Sequence, residues 1–474
     1  MALASNGSLR NIGRGWMVAT AMLALAGCPS DPVPSDAFVA RDTNIAVDSP
    51  ATNDAPAGER TIVGIAAADP RFSTLVAAAT RAGLVDTLNG PGTFTIFAPT
   101  NDAFMASGLT PAAIAALTDD QLRGVLAYHG LLSEVPSSAI TAGPVTTIAN
   151  FTAFIGVAGT SVTLNGGNTV TGGANVVTAD IEASNGVIHI IDRVLLPPTI
   201  PQLAVYGGLS TLAGAVTSAG LADDLSAAGP FTVFAPTNAA FAALPAVPTG
   251  PALEQVLLYH VINSAVPSTG VPARANSLAT NRFGNNLTLL FNTTSGVTIN
   301  GGPTVATANL RATNGIVHVV DRVILPMNVV QAATAAGLTG LTGAVGLAAA
   351  IPGSGGGAAT PVATALAADA PYTVFAPTNA AFTAAAPVTS TLTPAQLRDV
   401  LLFHVLNTTA FPAPVRSMAL PMTAGPLDTL NGADIAFNPM GPTFQTQTVV
   451  PTLLDIHVTN GVIHVINGVM IPAT

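Results

Sequence analysis

Histidine is the residue of this chain whose distribution most suggests a chemical site. The sequence holds seven histidines, and six recur at matching positions of a threefold pattern. The first set is His129, His260 and His404, and the second set, 60, 58 and 60 residues further on, is His189, His318 and His464. A buried imidazole could ligate a metal ion or act as a general base. A single histidine on an apolar face more often hydrogen-bonds to backbone, and we expect that structural role for both sets.

The other reactive groups do not form a recurring constellation. The acidic residues are scattered, and no pair of carboxylates returns in all three repeats, as a general acid and base would require. The sequence lacks a glycine-rich phosphate loop before a helix, a nucleophile elbow and a His-Glu pair at helical ligand spacing. His457 stands outside the threefold pattern. We therefore expect no catalytic residues, no metal site and no cofactor.

The only cysteine, Cys28, lies where an exported chain would carry a lipid. Arg10 and Arg14 precede an apolar run over residues 16–27, in the order and with the length of a signal peptide. The tetrapeptide Leu25-Ala26-Gly27-Cys28 resembles the lipobox of bacterial lipoproteins, in which the thiol receives a diacylglyceryl group. We predict a signal peptide over residues 1–27 and lipid attachment at Cys28. The alternative is an ordinary signal peptide followed by an incidental cysteine.

Residues 28–60 are rich in Pro, Asp, Ser, Ala and Thr and have almost no hydrophobic periodicity. Such a composition cannot bury enough apolar surface to fold, so it predicts a disordered tether.

Three sequence blocks recur three times in the same order. Phe-Ala-Pro-Thr-Asn comes first, a Tyr-His or Phe-His pair second, and an Asn-Gly-aliphatic-aliphatic-His segment third. A fixed period of this kind sets the number of domains before any secondary structure is assigned. We predict domains over residues 61–199, 200–328 and 329–474, the third with a surface-loop insertion near 352–361.

The blocks also predict the elements that position the histidines. The first block reads as a strand that ends at proline, followed by a helix whose first turn is capped by a Thr or Asn side chain. The candidate capping pairs are Thr100 and Asn101, Thr237 and Asn238, and Thr378 and Asn379. A ligand site at each Thr-Asn pair is the alternative.

The second block lies on an amphipathic helix, in which Leu122, Val125, Leu126 and His129 follow the i, i+3, i+4, i+7 spacing. The third block predicts a β-hairpin whose two-residue turn is Asn185-Gly186.

Composition restricts the partners and the relation to membranes. All 14 basic residues are arginine, and the formal net charge is -10, so a nucleic acid is not expected as a partner. The stretch over residues 329–351 carries no charge and is long enough for a membrane span. Because four glycines dilute this stretch, we predict a linker and the entry helix of the third repeat, with a transmembrane helix as the alternative.

Together, the three blocks resemble the conserved regions of the fasciclin-like domain family over roughly residues 61–473. The resemblance implies an α+β, mainly β, fold in which each domain is a two-sheet β wedge or sandwich with packed helices. It also implies a secreted or surface-anchored protein associated with adhesion to matrix, receptors, surfaces, polysaccharide or a host.

The resemblance further points to an Asp-Ile dipeptide just before the third block, to which adhesion has been assigned in some animal members. Asp180-Ile181 and Asp455-Ile456 match this dipeptide, whereas the second repeat has Asn309-Leu310. The alternative is structural, with the isoleucine in the core and the aspartate capping a turn.

These observations predict a non-enzymatic protein, exported and lipid-anchored to the bacterial envelope, either periplasmic or at the cell surface. Its expected partners are the membrane, through the N-terminal lipid, and an unidentified surface protein or polysaccharide. An envelope protein that binds a small apolar ligand or lipid is the first alternative, and a hydrolase is a distant one.

Overall fold

A computed structural model of the chain describes residues 60–472 except 168–171, 353–357, 407–408, 410–412, 417–424, 439–442 and 445. The predicted signal peptide, lipid attachment at Cys28 and tether therefore lie outside the described residues, apart from Arg60. So does half of the predicted insertion, whose flanks pair at Ile351 and Thr360.

The first domain alternates a helical layer with strands in the order that the blocks predict. Its helices are α1 (Ile62–Ala68), α2 (Ser73–Arg81), α3 (Val85–Asn89), α4 (Asn101–Ala106), α5 (Pro111–Ala116) and α6 (Asp119–Ala127). Its strands are β1 (Phe94–Pro99), β2 (Gly130–Leu131), β3 (Gly143–Thr146), β4 (Thr152–Ala158), β5 (Ser161–Leu164), β6 (Ala174–Ala183) and β7 (Gly186–Ile191).

The second domain repeats this order with fewer helices. Its helices are α7 (Ile200–Tyr206), α8 (Ser210–Ser218), α9 (Asn238–Ala242) and α10 (Pro251–Tyr259). Its strands are β8 (Phe231–Pro236), β9 (Val261–Ile262), β10 (Arg274–Thr280), β11 (Asn286–Asn292), β12 (Thr298–Ile299), β13 (Val305–Ala312) and β14 (Gly315–Val320).

The third domain keeps the central strands and has short outer ones. Its helices are α11 (Val329–Ala335), α12 (Thr339–Leu347), α13 (Val362–Ala367), α14 (Asn379–Thr389) and α15 (Pro394–Phe403). Its strands are β15 (Tyr372–Pro377), β16 (Gly425–Asp428), β17 (Asp434–Asn438), β18 (Thr443–Phe444), β19 (Gln447–Thr448), β20 (Ile456–Val458) and β21 (Gly461–Ile466). The uncharged stretch over residues 329–351 thus forms two short helices rather than one long one.

The strand of the first block lies beside the strand of the third block in every domain. In the first domain the strands are ordered β2-β1-β7-β6-β5-β4-β3, and β1 pairs in parallel with β7. The long strand β6 carries a bulge, with register shifts on either side of Thr178. Because a bulge bends its strand, β6 passes from one sheet of the wedge to the other.

The hairpin of the third block forms, but its turn is not the one predicted. Ala183 pairs with Gly186, so the two turn residues are Ser184 and Asn185, and not Asn185-Gly186. Gly186 already belongs to β7 and has φ 143°. A Cβ atom there would lie 2.0 Å from the carbonyl oxygen of Phe94 on β1. Glycine is therefore required by the approach of the neighbouring strand and not by the turn.

The first domain has hydrophobic clusters made only of its own buried residues. The three hydrophobic clusters of the first domain contain buried residues from 62–195 only. Within the described part of the chain, no single helix is long and apolar enough to cross a membrane. The pair Ile62–Ala68 and Pro70–Arg81 would meet the same criterion only as two pieces, with a bend of 103° between them.

Two joints connect the domains, and they use the same backbone contact. At the first joint, the hydroxyl of Thr152 on β4 accepts a hydrogen bond from the N–H of Arg311 on β13, at 2.8 Å. At the second joint, Thr288 on β11 accepts one from the N–H of His457 on β20, at 3.0 Å. Both threonine side chains are buried, which means that each joint excludes water from this bond.

An apolar side chain two residues after each of these threonines enters the next domain. Phe154 packs against the core of the second domain, beside Gly207 at the end of α7. Leu290, which is 6% exposed, belongs to the core cluster of the third domain. The three domains are thus held together by repeated contacts as well as by their linkers.

Replacing Gly186 by alanine should lower the free energy of unfolding by about 3 kcal/mol or more, because a Cβ atom cannot fit against Phe94 without moving a central strand. Urea unfolding of the full chain measures this change. The matched control is Gly124→Ala in helix α6, where nothing lies within 4 Å and the substitution should stabilise by up to about 1 kcal/mol. An equal effect of both substitutions would contradict the close-approach argument.

Candidate functional site

The first set of histidines connects the end of a helix to the segment that follows the third-block strand. His129 Nδ1 donates to the carbonyl of Val125 at 2.8 Å, and its Nε2 accepts from the N–H of Leu195 at 2.9 Å. His260 and His404 make the same two bonds, to Val256 and Ile324 and to Val400 and Met470. Each ring is therefore the neutral Nδ1–H tautomer with both nitrogens occupied.

Burial keeps these rings uncharged. His129, His260 and His404 are each 2% exposed. Desolvation lowers the pKa of each to about 4, against 6.5 for an ordinary histidine, although the hydrogen bond to the carbonyl acts in the opposite direction. A neutral ring whose lone pair already accepts a backbone N–H cannot serve as a base or a metal ligand without breaking that bond.

The second set of histidines lies on the third-block strand and uses the other tautomer. His189 Nε2 donates to the carbonyl of Val135 at 3.0 Å, and its Nδ1 accepts from the N–H of Asp180 at 3.3 Å. His318 repeats this arrangement with Val266 and Asn309, and His464 with Val415 and Asp455. In the first and second domains this histidine thus holds the bulge of the neighbouring strand in place. Both ring nitrogens are occupied in all three domains.

The two residues of each Thr-Asn pair have different structural roles. Thr100 is the N-cap of α4, since its hydroxyl accepts from the N–H of Ala103 at 3.2 Å. Asn101 instead reaches α2, where its Oδ1 accepts from the N–H of Thr74 and its Nδ2 donates to the carbonyl of Pro70. Thr237 and Thr378 cap their helices in the same way, and Asn238 and Asn379 bond to the N-terminal ends of α8 and α12.

The third-block asparagines connect the hairpin to the helical layer, a role that the sequence reasoning missed. Asn185 Oδ1 accepts from the N–H of Ile62, the first residue of α1, and its Nδ2 donates to the carbonyl of Leu88. Asn314 and Asn460 bond equivalently to Ile200 and Val329 at the start of α7 and α11. The sequence signal was present, because asparagine opens the third block in every repeat, but it was interpreted as a turn preference only.

Asp180 of the first Asp-Ile dipeptide lies on the bulge of β6, in the left-handed region with φ 59°. Its carboxylate accepts hydrogen bonds from the N–H and the hydroxyl of Ser137, which hold the pKa of Asp180 below its usual value. Asp180 is nevertheless exposed, whereas Ile181 is half-buried against the core of the first domain.

Asp455-Ile456 occupies the equivalent position in the third domain, at the start of β20, but is less accessible. Asp455 has φ 52°, and its side chain is 27% exposed. Ile456 is fully buried, so only the aspartate of this dipeptide can contact a binding partner. The second domain has Asn309 at this position, with φ 60°. Its side-chain Oδ1 accepts from the N–H of Ser268, and its Nδ2 donates to the Ser268 hydroxyl.

His457, which stood outside the repeat pattern, lies at the second joint. Its equivalents by register are Glu182 and Arg311, each paired with the residue that follows the third-block glycine. Among the described residues, no group of three or more His, Cys, Asp or Glu side chains is placed to hold a metal ion.

The family profile of the fasciclin domain matches this chain three times, over residues 70–197, 207–326 and 357–472. Each match lies within one of the three domains described above, and together the matches cover most of the chain.

Curated relatives include short bacterial and long animal proteins. Protein sll1483 of Synechocystis sp. is 41% identical over 140 residues, which is 29% of this chain and 74% of that protein. The transforming growth factor-beta-induced protein ig-h3 of Sus scrofa is 29% identical over 85% of this chain and 56% of its own length. Periostin of Homo sapiens is 27% identical over 86% of this chain and 46% of its own length. The chain thus spans about half the length of the two animal relatives.

Among solved structures, the FAS1 domain pair of the insect cell adhesion molecule fasciclin I aligns with 54% of this chain and 97% of its own, at 20% identity and a TM-score of 0.38.

Lowering the pH from 6.5 to 4 should destabilise the chain, because the first set of histidines is neutral in the folded state and protonates on unfolding. The unfolded state binds more protons in this window, so each of these histidines should cost about 1.4 kcal/mol of stability per pH unit. Urea unfolding at pH 7, 6 and 5 measures the loss.

Carboxylates with a lowered pKa, such as Asp69 and Asp180, keep their stabilising contribution between pH 7 and 5 and lose it progressively only below about pH 5. Repeating the series in 0.5 M salt, which screens surface charges far more than buried ones, is the control. Constant stability between pH 6.5 and 5 would contradict the assignment of neutral buried rings.

Proposed function

The chain belongs to the fasciclin domain family, and from that premise we propose that it is a non-enzymatic envelope or cell-surface protein that mediates adhesion or extracellular binding through three modules. A surface protein or a polysaccharide is the proposed partner. No nucleic acid, metal or cofactor takes part in this proposal.

One observation carries the proposal. The polar side chains that the three domains share are engaged in hydrogen bonds within the fold, at equivalent positions of each domain. What triplication multiplies is then the outer surface of the domain. A binder gains effective concentration from each added module, whereas an enzyme rarely gains from near-copies of one site.

The exposed bulge is the proposed contact surface. Asp180 is exposed while its carboxylate geometry is fixed by Ser137, so the charge is presented in a defined position. Asp455 offers a smaller exposed area, and Asn309 provides an uncharged equivalent in the second domain. The three modules therefore present related but unequal surfaces.

Small-ligand binding receives less support from the cavities. A cavity of about 90 Å³ lies in the second domain between α7, α8 and the core, with an almost wholly apolar lining. Ligand pockets typically occupy about 300–1,000 Å³. This cavity is small for a lipid, and the nitrogens of His260 at its wall are occupied. Native mass spectrometry of detergent-free protein distinguishes the two functions, because an adhesion protein should carry no ligand.

Multivalent binding predicts that residues 61–474, without the anchor, adhere to cells of the producing bacterium or to its extracted polysaccharide far more strongly than one domain does. The loss for residues 61–199 should be about 100-fold or more in apparent affinity, because two modules are removed. Surface plasmon resonance on immobilised polysaccharide measures both.

The single domain is a fair comparison because its hydrophobic clusters draw only on its own residues. Circular dichroism confirms that it is folded before binding is compared. Equal affinity of the two chains would contradict the multivalent proposal.

The lipid anchor is a separate proposal, and Cys28 lies outside the described residues. Growth with a labelled fatty acid should label the wild-type chain and leave Cys28→Ser unlabelled, since the thiol is the proposed attachment atom. Ala26→Ser, which keeps the thiol and a small residue before it, is the control and should remain labelled. Equal labelling of wild type and Cys28→Ser would show that the cysteine is incidental.

A further inference from the structure

The two joints share a backbone contact but differ in one side chain. The bond that crosses each joint runs from a backbone N–H to a buried threonine hydroxyl. Arg311 supplies this N–H at the first joint, and its side chain is exposed and permanently charged. His457 supplies it at the second joint, where the side chain can gain or lose a charge.

His457 is enclosed where Arg311 is not. The residue is 8% exposed, and its Nδ1 has no hydrogen-bond partner within the part of the chain that the structure describes. A buried polar atom without a partner costs free energy, and a buried charge costs more. The second joint therefore holds a neutral ring with one nitrogen already poorly accommodated.

Charged groups from both domains act electrostatically on this ring. Arg274 on β10 of the second domain crosses the joint and donates to the carbonyl of Leu454. Arg416 and His464 of the third domain also oppose a positive charge on His457, whereas Asp455 favours it. The fields of two arginines and one carboxylate therefore act on a ring whose burial already disfavours a charge.

We propose that the second joint is a pH-sensitive hinge, which opens on mild acidification while the first joint stays closed. Protonation of His457 adds a positive charge to the closed joint, where Arg274 and Arg416 oppose it. Opening the joint lets water solvate the imidazolium and removes the cost. Arg311 undergoes no such change in charge, so the first joint lacks the same response.

Proton linkage determines whether acid opens or closes the second joint. Burial, the largest cause, lowers the pKa of His457 in the closed joint, and the attraction of Asp455 only partly offsets it. The open joint binds the proton more readily, because there the ring approaches its ordinary pKa of 6.5. Closure is therefore complete above pH 6.5 and weakens as the pH falls towards the pKa of the closed state. Opening increases by up to about tenfold per pH unit in that window.

Hydrogen exchange of the full chain tests the hinge, because the N–H groups that cross the joints report on their opening. Mass spectrometry compares a peptide containing residues 455–459 with one containing residues 309–313, at pH 7 and pH 5 and after correction for intrinsic exchange. We expect the ratio of their exchange rates to rise about tenfold or more on acidification. A peptide from β21 should keep its protection, which distinguishes opening of the joint from unfolding of the third domain.

Two variants make the test specific. His457→Gln keeps the backbone N–H but cannot protonate, so the rise should disappear. Arg311→Gln, the matched substitution at the first joint, should leave the rise unchanged. A rise that persists in His457→Gln, or equal responses of both joints in the wild type, would overturn the proposal.

The imidazole titration of His457, followed by NMR in the full-length chain, gives a measurement that does not depend on a variant folding well. A native pKa below 6.5 supports the hinge. A value at or above 6.5 would overturn it, because protonation would then stabilise the closed joint.

Discussion

The parallel pairing of two central strands is the interaction on which the rest of each domain depends. In the first domain this pairing joins β1 to β7, which lie about 90 residues apart in the chain, and its register places Phe97 opposite His189. The same register places Phe234 opposite His318 and Phe375 opposite His464, with ring centroids 5.6, 5.5 and 5.7 Å apart. Since the first and third blocks are these two strands, the sequence pattern marks the centre of the fold and not its surface.

The remaining shared polar residues hold other elements onto this strand pair. The carbonyl of His129 accepts a hydrogen bond from the N–H of Phe97, and its ring accepts one from Leu195, just beyond β7. The side chain of Asn185, in the hairpin turn, accepts a hydrogen bond from the N–H of Ile62, the first residue of α1. Each of these groups would be costly if buried without a partner, so their mutual satisfaction fixes one arrangement of helices and sheet. The same satisfaction removes them from chemistry with a ligand.

The predicted family and the mainly β class are confirmed. Both could be predicted because repeated blocks and strand alternation are local signals in the sequence. The predicted turn of the third block was wrong for a tertiary reason. Glycine is needed at position 186 because the backbone of the distant Phe94 approaches it, and not because of its neighbours in sequence. Asn101 could have been a cap by its position, and only the packing of α2 against α4 gives it another partner. The joints left no sequence signal at all, because Thr152 and Arg311 are joined by a backbone N–H that any residue except proline supplies.

That backbone bond explains why one architecture accommodates different joints. The equivalent positions hold Glu182 in the first domain, Arg311 in the second and His457 in the third. The hydrogen bond to the threonine uses only the backbone N–H of the residue at this position. The side chain of that residue can therefore be basic, as in Arg311, or titratable, as in His457, without loss of the bond. Its environment then decides the consequence: an exposed arginine leaves the first joint insensitive to pH, and an enclosed imidazole beside Arg274 makes the second joint sensitive to it. Repetition fixes the geometry of the joints, and a single side chain at each sets how firmly it closes.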